Sequence, residues 1–295
     1  MKDNQQQREE TGTNDETEPL HTQDLDRVLP LDWTGERMVP EACDEDTFLE
    51  HVYRYKFAIP FIVGKDVLDI ACGEGYGSAG IRAAGAKSVV GVDIDPVTVD
   101  HARRKYHLEA RVGSAELIPA EDNAFDVVVS FETIEHVANP ERFLDECVRV
   151  CRPGGKVIVS TPSKENYLSE DIVNEFHVSE MTAEEFAECL SSRFKSFTLY
   201  GQCFSWAPWW SPRMLSVAGT PSLLTIPGAY RARSLARRLL APNLCTKQFG
   251  GSGDQPIKRM GQLDSAVSDA FNPYLVRKVV GNSENPGYLI AVAER

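Results

Sequence analysis

The chain has 295 residues, 42% of them hydrophobic and 25% charged, so it can bury a sizeable core around one enlarged α/β domain. Acidic residues exceed basic ones, 44 against 31, for a formal net charge of −13; that argues against a general nucleic-acid-coating protein, which needs a basic surface, while leaving room for a local basic patch. The chain has no run of 18 apolar residues that would span a membrane, and its seven cysteines form no CxxC pair, which argues against a disulfide framework or zinc site and for a reducing cytoplasm.

Residues 1–28 carry eight acids and few large apolar groups, so they are expected to form a disordered acidic leader, unlike a signal peptide. Residues 29–64 read as a helical cap segment. Asp44 is suited to cap a helix there, and Phe48, Val52, Tyr55 and Ile59 recur at helical spacing until Pro60 ends or kinks it. Residues 65–203 then alternate apolar strands and helices. The strands expected are 67–70, 88–92, a weaker one at 110–112, 125–130 and 156–160. Pro96 opens one helix, and another over 139–151 stops at Pro153-Gly154-Gly155. A helix over 182–192 and strands at 195–201 and 287–293 complete the pattern. Residues 204–285 read as an insertion before the final core segment, 286–295. Continuous apolar strands between helices indicate a Rossmann-like, doubly wound, mostly parallel seven-stranded sheet with helices on both faces. Ligands then sit at the carboxyl ends of the strands.

One such end is Asp69-Ile-Ala-Cys-Gly-Glu-Gly-Tyr-Gly77, where glycines permit a tight turn and close approach to a ligand. Asp93 ends the next strand, twenty positions after Gly73, where a carboxylate can accept both hydroxyls of a ribose. Asp69 adds a second negative charge. It would repel a pyrophosphate and attract a cationic ligand with an amino group, such as S-adenosylmethionine.

VLDIACGEGYGS (67–78), GVDIDP (91–96), the 113–137 stretch ending FETIEHV, and RPGGKVIVSTP (152–162) occur in one order. In that order they resemble the motifs of class I S-adenosylmethionine-dependent methyltransferases, of the type 11-like kind. The resemblance implies S-adenosylmethionine as cofactor. It places Asp69, Ala71, Gly73 and Gly75 around the methionine part, Asp93 on the ribose and Ile94 against the adenine. Ser114, Ala115 and Glu116 fall at the adenine edge, with serine at 114 where the family often has an acid. Phe131 and Glu132 line the methionine and acceptor side. TGERMVPE (34–41), EHVYRYKFA (50–58) and NEFHVSEMT (174–182) resemble a subgroup linked to sugar and surface-polysaccharide modification. That likeness brings Arg37, His51, Arg54 and Tyr55 to the cofactor mouth, with Arg54 a candidate fork for the methionine carboxylate.

Methyl transfer to a hydroxyl needs a proton acceptor near the reacting oxygen. His136 and His177 follow the fourth and fifth strands, and either suits that role, His177 somewhat better. Glu132, Glu135, Glu175 and Glu180 lie near enough in sequence to orient an imidazole, and Glu132, Glu135 and His136 are an alternative set for a divalent metal. Trp206, Trp209 and Trp210 are suited to stack on a flat acceptor if the insertion forms a lid. The basic, amphipathic 230–240 run, with Arg231, Arg233, Arg237 and Arg238, suits peripheral contact with an anionic lipid or lipid-linked acceptor. The expected acceptor is a small molecule or glycan, possessing a sugar hydroxyl, with no nucleic-acid partner. The rivals are O- or C-methylation of a quinone or other small aromatic, N-methylation of an amino sugar, an NAD-dependent oxidoreductase, and a cofactor-binding partner subunit without activity. The oxidoreductase fits less well, because Ser78 replaces the third dinucleotide glycine.

Overall fold

The structure is a computed structural model and describes residues 31, 37–43, 45–164, 176–202, 276–278 and 286–295. The expectations for the acidic leader, the Asp44 cap, Glu175, the three tryptophans and the basic 230–240 run lie outside the described residues. Among the described residues no helix is long and apolar enough to cross a membrane.

Helix α1 (Glu45–Ile62) precedes β1 (Asp66–Ile70), α2 (Tyr76–Ala83), β2 (Ser88–Asp93), α3 (Pro96–Tyr106), β3 (Glu109–Val112) and β4 (Phe125–Ser130). Then come α4 (Pro140–Val150), β5 (Cys151–Pro162), α5 (Ala183–Ser191), β6 (Ser196–Gln202), β7 (Val276–Lys278) and β8 (Tyr288–Glu294). Local chemistry sets the helix starts. Asp95 caps α3 by accepting from the Val97 N–H at 3.0 Å, Asn139 caps α4 through the Arg142 N–H, and Pro96 and Pro140 occupy first-turn positions. Thr182 and Glu185 form a reciprocal capping box on α5.

The strands order as β3-β2-β1-β4-β5-β8-β6-β7. The first five are parallel, and β8 runs antiparallel to both β5 and β6. Seven of these strands are the Rossmann-like sheet expected. The eighth, β7, pairs antiparallel with β6 inside the stretch read as an insertion. Three residues carry too short a pattern for a strand to be read from sequence.

Two local features differ from expectation in part. Of the two outcomes expected at Pro60, it does not end α1, which runs to Ile62; an exposed proline in the last turn removes one N–H without breaking the packed face. Pro153-Gly154-Gly155 falls within β5 rather than before it. The register shifts opposite Phe125 and Val127, and Gly154 takes φ +77°, so the glycine absorbs a bulge.

Alternation along the strands sends side chains to two apolar layers. Val67, Val89, Val127 and Val129 face α1, α2 and α3, where Ala58, Ile62, Ala79, Val99 and Ala102 cover them. Leu68, Ile70, Val90 and Val128 face the other way, against Phe143, Leu144 and Cys147 of α4 and Phe186 and Leu190 of α5. The chain winds outward from β1 to β3, then returns to lay β4 on the other side of β1. That reversal opens a crevice at the carboxyl ends of β1 and β4.

Candidate active site

The crevice is a cavity of about 500 Å³, within the range of small-molecule sites. Ten of the residues expected at the site line it: Ala71, Gly73, Asp93, Ile94, Ser114, Ala115, Glu116, Phe131, Glu132 and His136. Two strand-to-loop turns build it. Ala71 after β1 and Glu132 after β4 both take left-handed backbone, at φ 55° and 53°. That conformation costs a non-glycine residue of order 1 kcal/mol and is held by surrounding contacts. At Glu132 the contacts are reciprocal. Its N–H donates to Ser160 Oγ at 3.1 Å, and Ser160 Oγ donates to Glu132 Oε1 at 2.9 Å.

Asp93 sits at the tip of β2. One carboxylate oxygen accepts from the Gly73 N–H at 2.9 Å and the other from the Asp95 N–H at 3.0 Å. Burial raises its pKa, and these two N–H donors work against that rise. A carboxylate has about four acceptor positions, so two remain for a ligand. Gly73 (φ +55°) has open space where a Cβ would stand, so its bare backbone forms part of the cradle. Ile94 is 72% exposed beside Asp93, an apolar surface suited to a flat ring. The Glu116 carboxylate is engaged elsewhere: it accepts the Asn139 N–H at 2.5 Å, which ties the adenine-edge loop to the start of α4.

The structure moves four expected residues off the cavity wall. Asp69 is fully buried, accepting from Ser78 Oγ at 2.6 Å and standing 3.3 Å from Tyr55 OH. Strand alternation turns it, like Val67, toward the α1–α2 layer instead of the ligand. Burial, above all, lifts its pKa to about 7, against hydrogen bonds from Ser78 and Tyr55. Gly75 is the left-handed N-cap of α2 (φ 95°), packed on Ala102 and Leu108. Arg54 is also fully buried. Its Nη1 donates to Gln202 Oε1 at 2.8 Å, Nη2 lies 4.0 Å from Glu132 Oε2, and the guanidinium stacks 4.3 Å from the Tyr288 ring. Burial would lower the Arg54 pKa, but Glu132, Tyr288 and Glu50 outweigh it and hold it above its ordinary value. Arg54 thus braces Glu132 from behind and offers no fork to a ligand. His177 is set behind His136, with ring centroids 4.9 Å apart and its Nδ1 2.8 Å from Glu180 Oε1.

Arg37, His51 and Tyr55, expected at the cofactor mouth, line the cavity as well, and Met38 joins them unanticipated. Arg37 and Met38 close the cavity from the segment before α1. Arg37 Nη1 reaches Asp95 Oδ2 at 2.7 Å and also contacts Thr98. His51 lines the wall with its Nδ1 3.3 Å from Tyr76 OH; burial, then the Arg54 charge, hold its pKa well below the ordinary value. Tyr55 stands edge-on to Phe131 at 4.9 Å and forms the apolar side. Glu74 lies in the same glycine loop but points away, to Lys105 at 3.1 Å and Tyr106 OH at 2.8 Å, fastening the loop to α3. Its neighbours in sequence gave no sign of that direction.

Residues 68–159 match the methyltransferase domain family Methyltransf_11. The chain is 39% identical over 175 residues to a probable S-adenosylmethionine-dependent methyltransferase of Mycolicibacterium smegmatis, covering 57% of this chain and 68% of that protein. It is 30% identical to the phthiotriol/phenolphthiotriol dimycocerosates methyltransferase of Mycobacterium leprae, over 52% of this chain and 61% of that relative's length. In fold it resembles a Thermotoga maritima S-adenosylmethionine-dependent methyltransferase, described as a possible histamine N-methyltransferase. The TM-score is 0.51 at 18% identity, with 85% of this chain and 93% of that chain covered. The glycine cradle, the acid at the tip of β2 and these likenesses converge on one assignment: the chain belongs to the S-adenosylmethionine-dependent methyltransferases.

Proposed function

We propose that the enzyme transfers the methyl group to a hydroxyl of a sugar or glycan-related acceptor. The observation that carries this reading is the polar end of the cavity, where Glu132, Thr133 and His136 face the same space. S-adenosylmethionine supplies an electrophilic methyl on a sulfonium, so the chain's task is alignment, exclusion of water and removal of one proton. Asp93 accepts the ribose hydroxyls, Gly73 lets the backbone approach, and Ile94 covers the adenine. The hydroxyl proton leaves to one of the two groups at the polar end, His136 or Glu132. His136 Nδ1 lies 2.8 Å from the Phe176 carbonyl oxygen, an acceptor, so Nδ1 carries the hydrogen and Nε2 the lone pair. His136 is preferred to His177 as the acceptor of the proton, because His136 lines the cavity and His177 does not.

A lipid hydroxyl is the second reading, favoured by the name of the M. leprae relative. Incubation with labelled S-adenosylmethionine and fractionated cell material, followed by mass analysis, separates the two. Label on carbohydrate supports the first reading, label on a carbohydrate-free lipid the second, and label on protein or RNA overturns both. Glu132→Gln is expected to lower turnover by about 100-fold or more while leaving cofactor affinity within about threefold.

Asp69 makes stability pH-dependent. Burial raises its folded pKa from 3.8 to about 7, so between about pH 4 and 7 the unfolded chain holds fewer protons, and stability falls as pH rises through that window. Chemical denaturation across that range checks this, and Asp69→Asn is expected to flatten the dependence.

A further inference from the structure

We propose that Glu135, His136 and His177 form a site for one divalent transition-metal ion at the wall of the cavity. One donor atom from each of the three lies within 4.8 Å of the others. Glu135 is fully buried, and neither carboxylate oxygen has a hydrogen-bond partner. A buried, unpaired carboxylate is costly unless something charged completes it. Among the described residues, the only ionisable side chain with an ion-pair contact to it is His136, whose Nε2 lies 4.0 Å from Oε1. The nearby Arg54 charge already faces Glu132.

Both imidazoles are held as metal ligands are held. His136 Nδ1 is fixed by the Phe176 carbonyl at 2.8 Å, and His177 Nδ1 by the Glu180 carboxylate at 2.8 Å. Such outer partners set ring orientation and tautomer. Two imidazoles and one carboxylate suit zinc, iron, cobalt or manganese better than magnesium or calcium. Donors on one ion stand roughly 3 to 3.5 Å apart, so rotation of the side chains must draw the triad in.

Of the three, only His136 lines the cavity, so the ion's open positions meet the acceptor end. This role rests on the hydroxyl-transfer reading. An acceptor oxygen on the ion is acidified. That oxygen bonds to the methyl carbon as the carbon–sulfur bond breaks, its electron pair passing to sulfur, and the hydroxyl proton goes to Glu132. With the His136 lone pair on the ion, Glu132 is the group that takes the proton.

The test is titration of the chelator-stripped full chain with cobalt(II), read by visible absorption, beside calorimetry with S-adenosylmethionine. The expected result is one cobalt per chain, displaced by zinc. Glu135→Gln and His177→Ala should abolish the band, and Glu180→Gln, at a partly exposed site, should weaken cobalt about 10- to 100-fold. Cofactor affinity should stay within about threefold in Glu180→Gln. No cobalt band, or one indifferent to both Glu180→Gln and His177→Ala, overturns the metal site. Loss of S-adenosylmethionine binding by the unmodified chain would instead overturn the function above, so the two failures are distinct.

Discussion

Replacing Arg54 by methionine is expected to destabilise the protein by about 3–5 kcal/mol, the range for removing one member of a buried ion pair. Arg54 is the junction of three distant parts of the chain: Gln202 at the end of β6, Tyr288 at the start of β8 and Glu132 after β4. Methionine fills similar volume, so cavity formation contributes little and the loss reports on charge. It leaves Glu132 and the buried Glu135 without an opposing guanidinium nearby. Glu132→Gln in the same chain should restore part of the loss, because removing both partners is less costly than removing one. Chemical denaturation of the two single variants and the double variant checks this. Equal stability of Arg54→Met and the wild type would refute the bracing role.

Gly77→Ala is expected to cost about 1–3 kcal/mol and to weaken S-adenosylmethionine about tenfold or more. A Cβ at Gly77 would overlap the Tyr55 ring. Tyr55 cannot withdraw freely, since its hydroxyl lies beside Asp69 and its ring packs on Tyr76 and Phe131. The ring is part of the cavity wall, so the strain reaches the ligand. Gly77→Ala combined with Tyr55→Leu should recover stability, as the shorter side chain vacates the contested space. Recovery would be read as a raised denaturation midpoint relative to Gly77→Ala alone.

The parallel sheet was legible because its strands are short apolar runs set off by glycine and proline. Asp93 and Gly73 were legible because a strand tip and a glycine bend fix where a side chain or bare backbone must face. Asp69 shows where adjacency misleads. It borders the glycine loop, yet its parity with Val67 sends it to the helical layer, a direction already contained in the alternation of β1. Arg54 was out of reach for another reason. Its partners lie 148 and 234 positions away along the chain, and local helical spacing cannot reveal them. His177 and His136 follow different strands, and only the return of the chain after β5 brings their rings together. The β7 strand is stabilised by its neighbour β6 rather than by its own three residues.

Asp93 is the proposed anchor for the ribose of S-adenosylmethionine. Calorimetry should compare the natural cofactor with an analogue lacking both ribose hydroxyls, on the wild type and on Asp93→Asn. Hydrogen bonds to a charged acceptor contribute about 1.5–3 kcal/mol each, so the wild type should bind the analogue at least about tenfold more weakly. Asp93→Asn should bind both ligands with nearly equal, reduced affinity. If Asp93→Asn discriminates between them as strongly as the wild type does, the ribose is held elsewhere and the site has been misplaced.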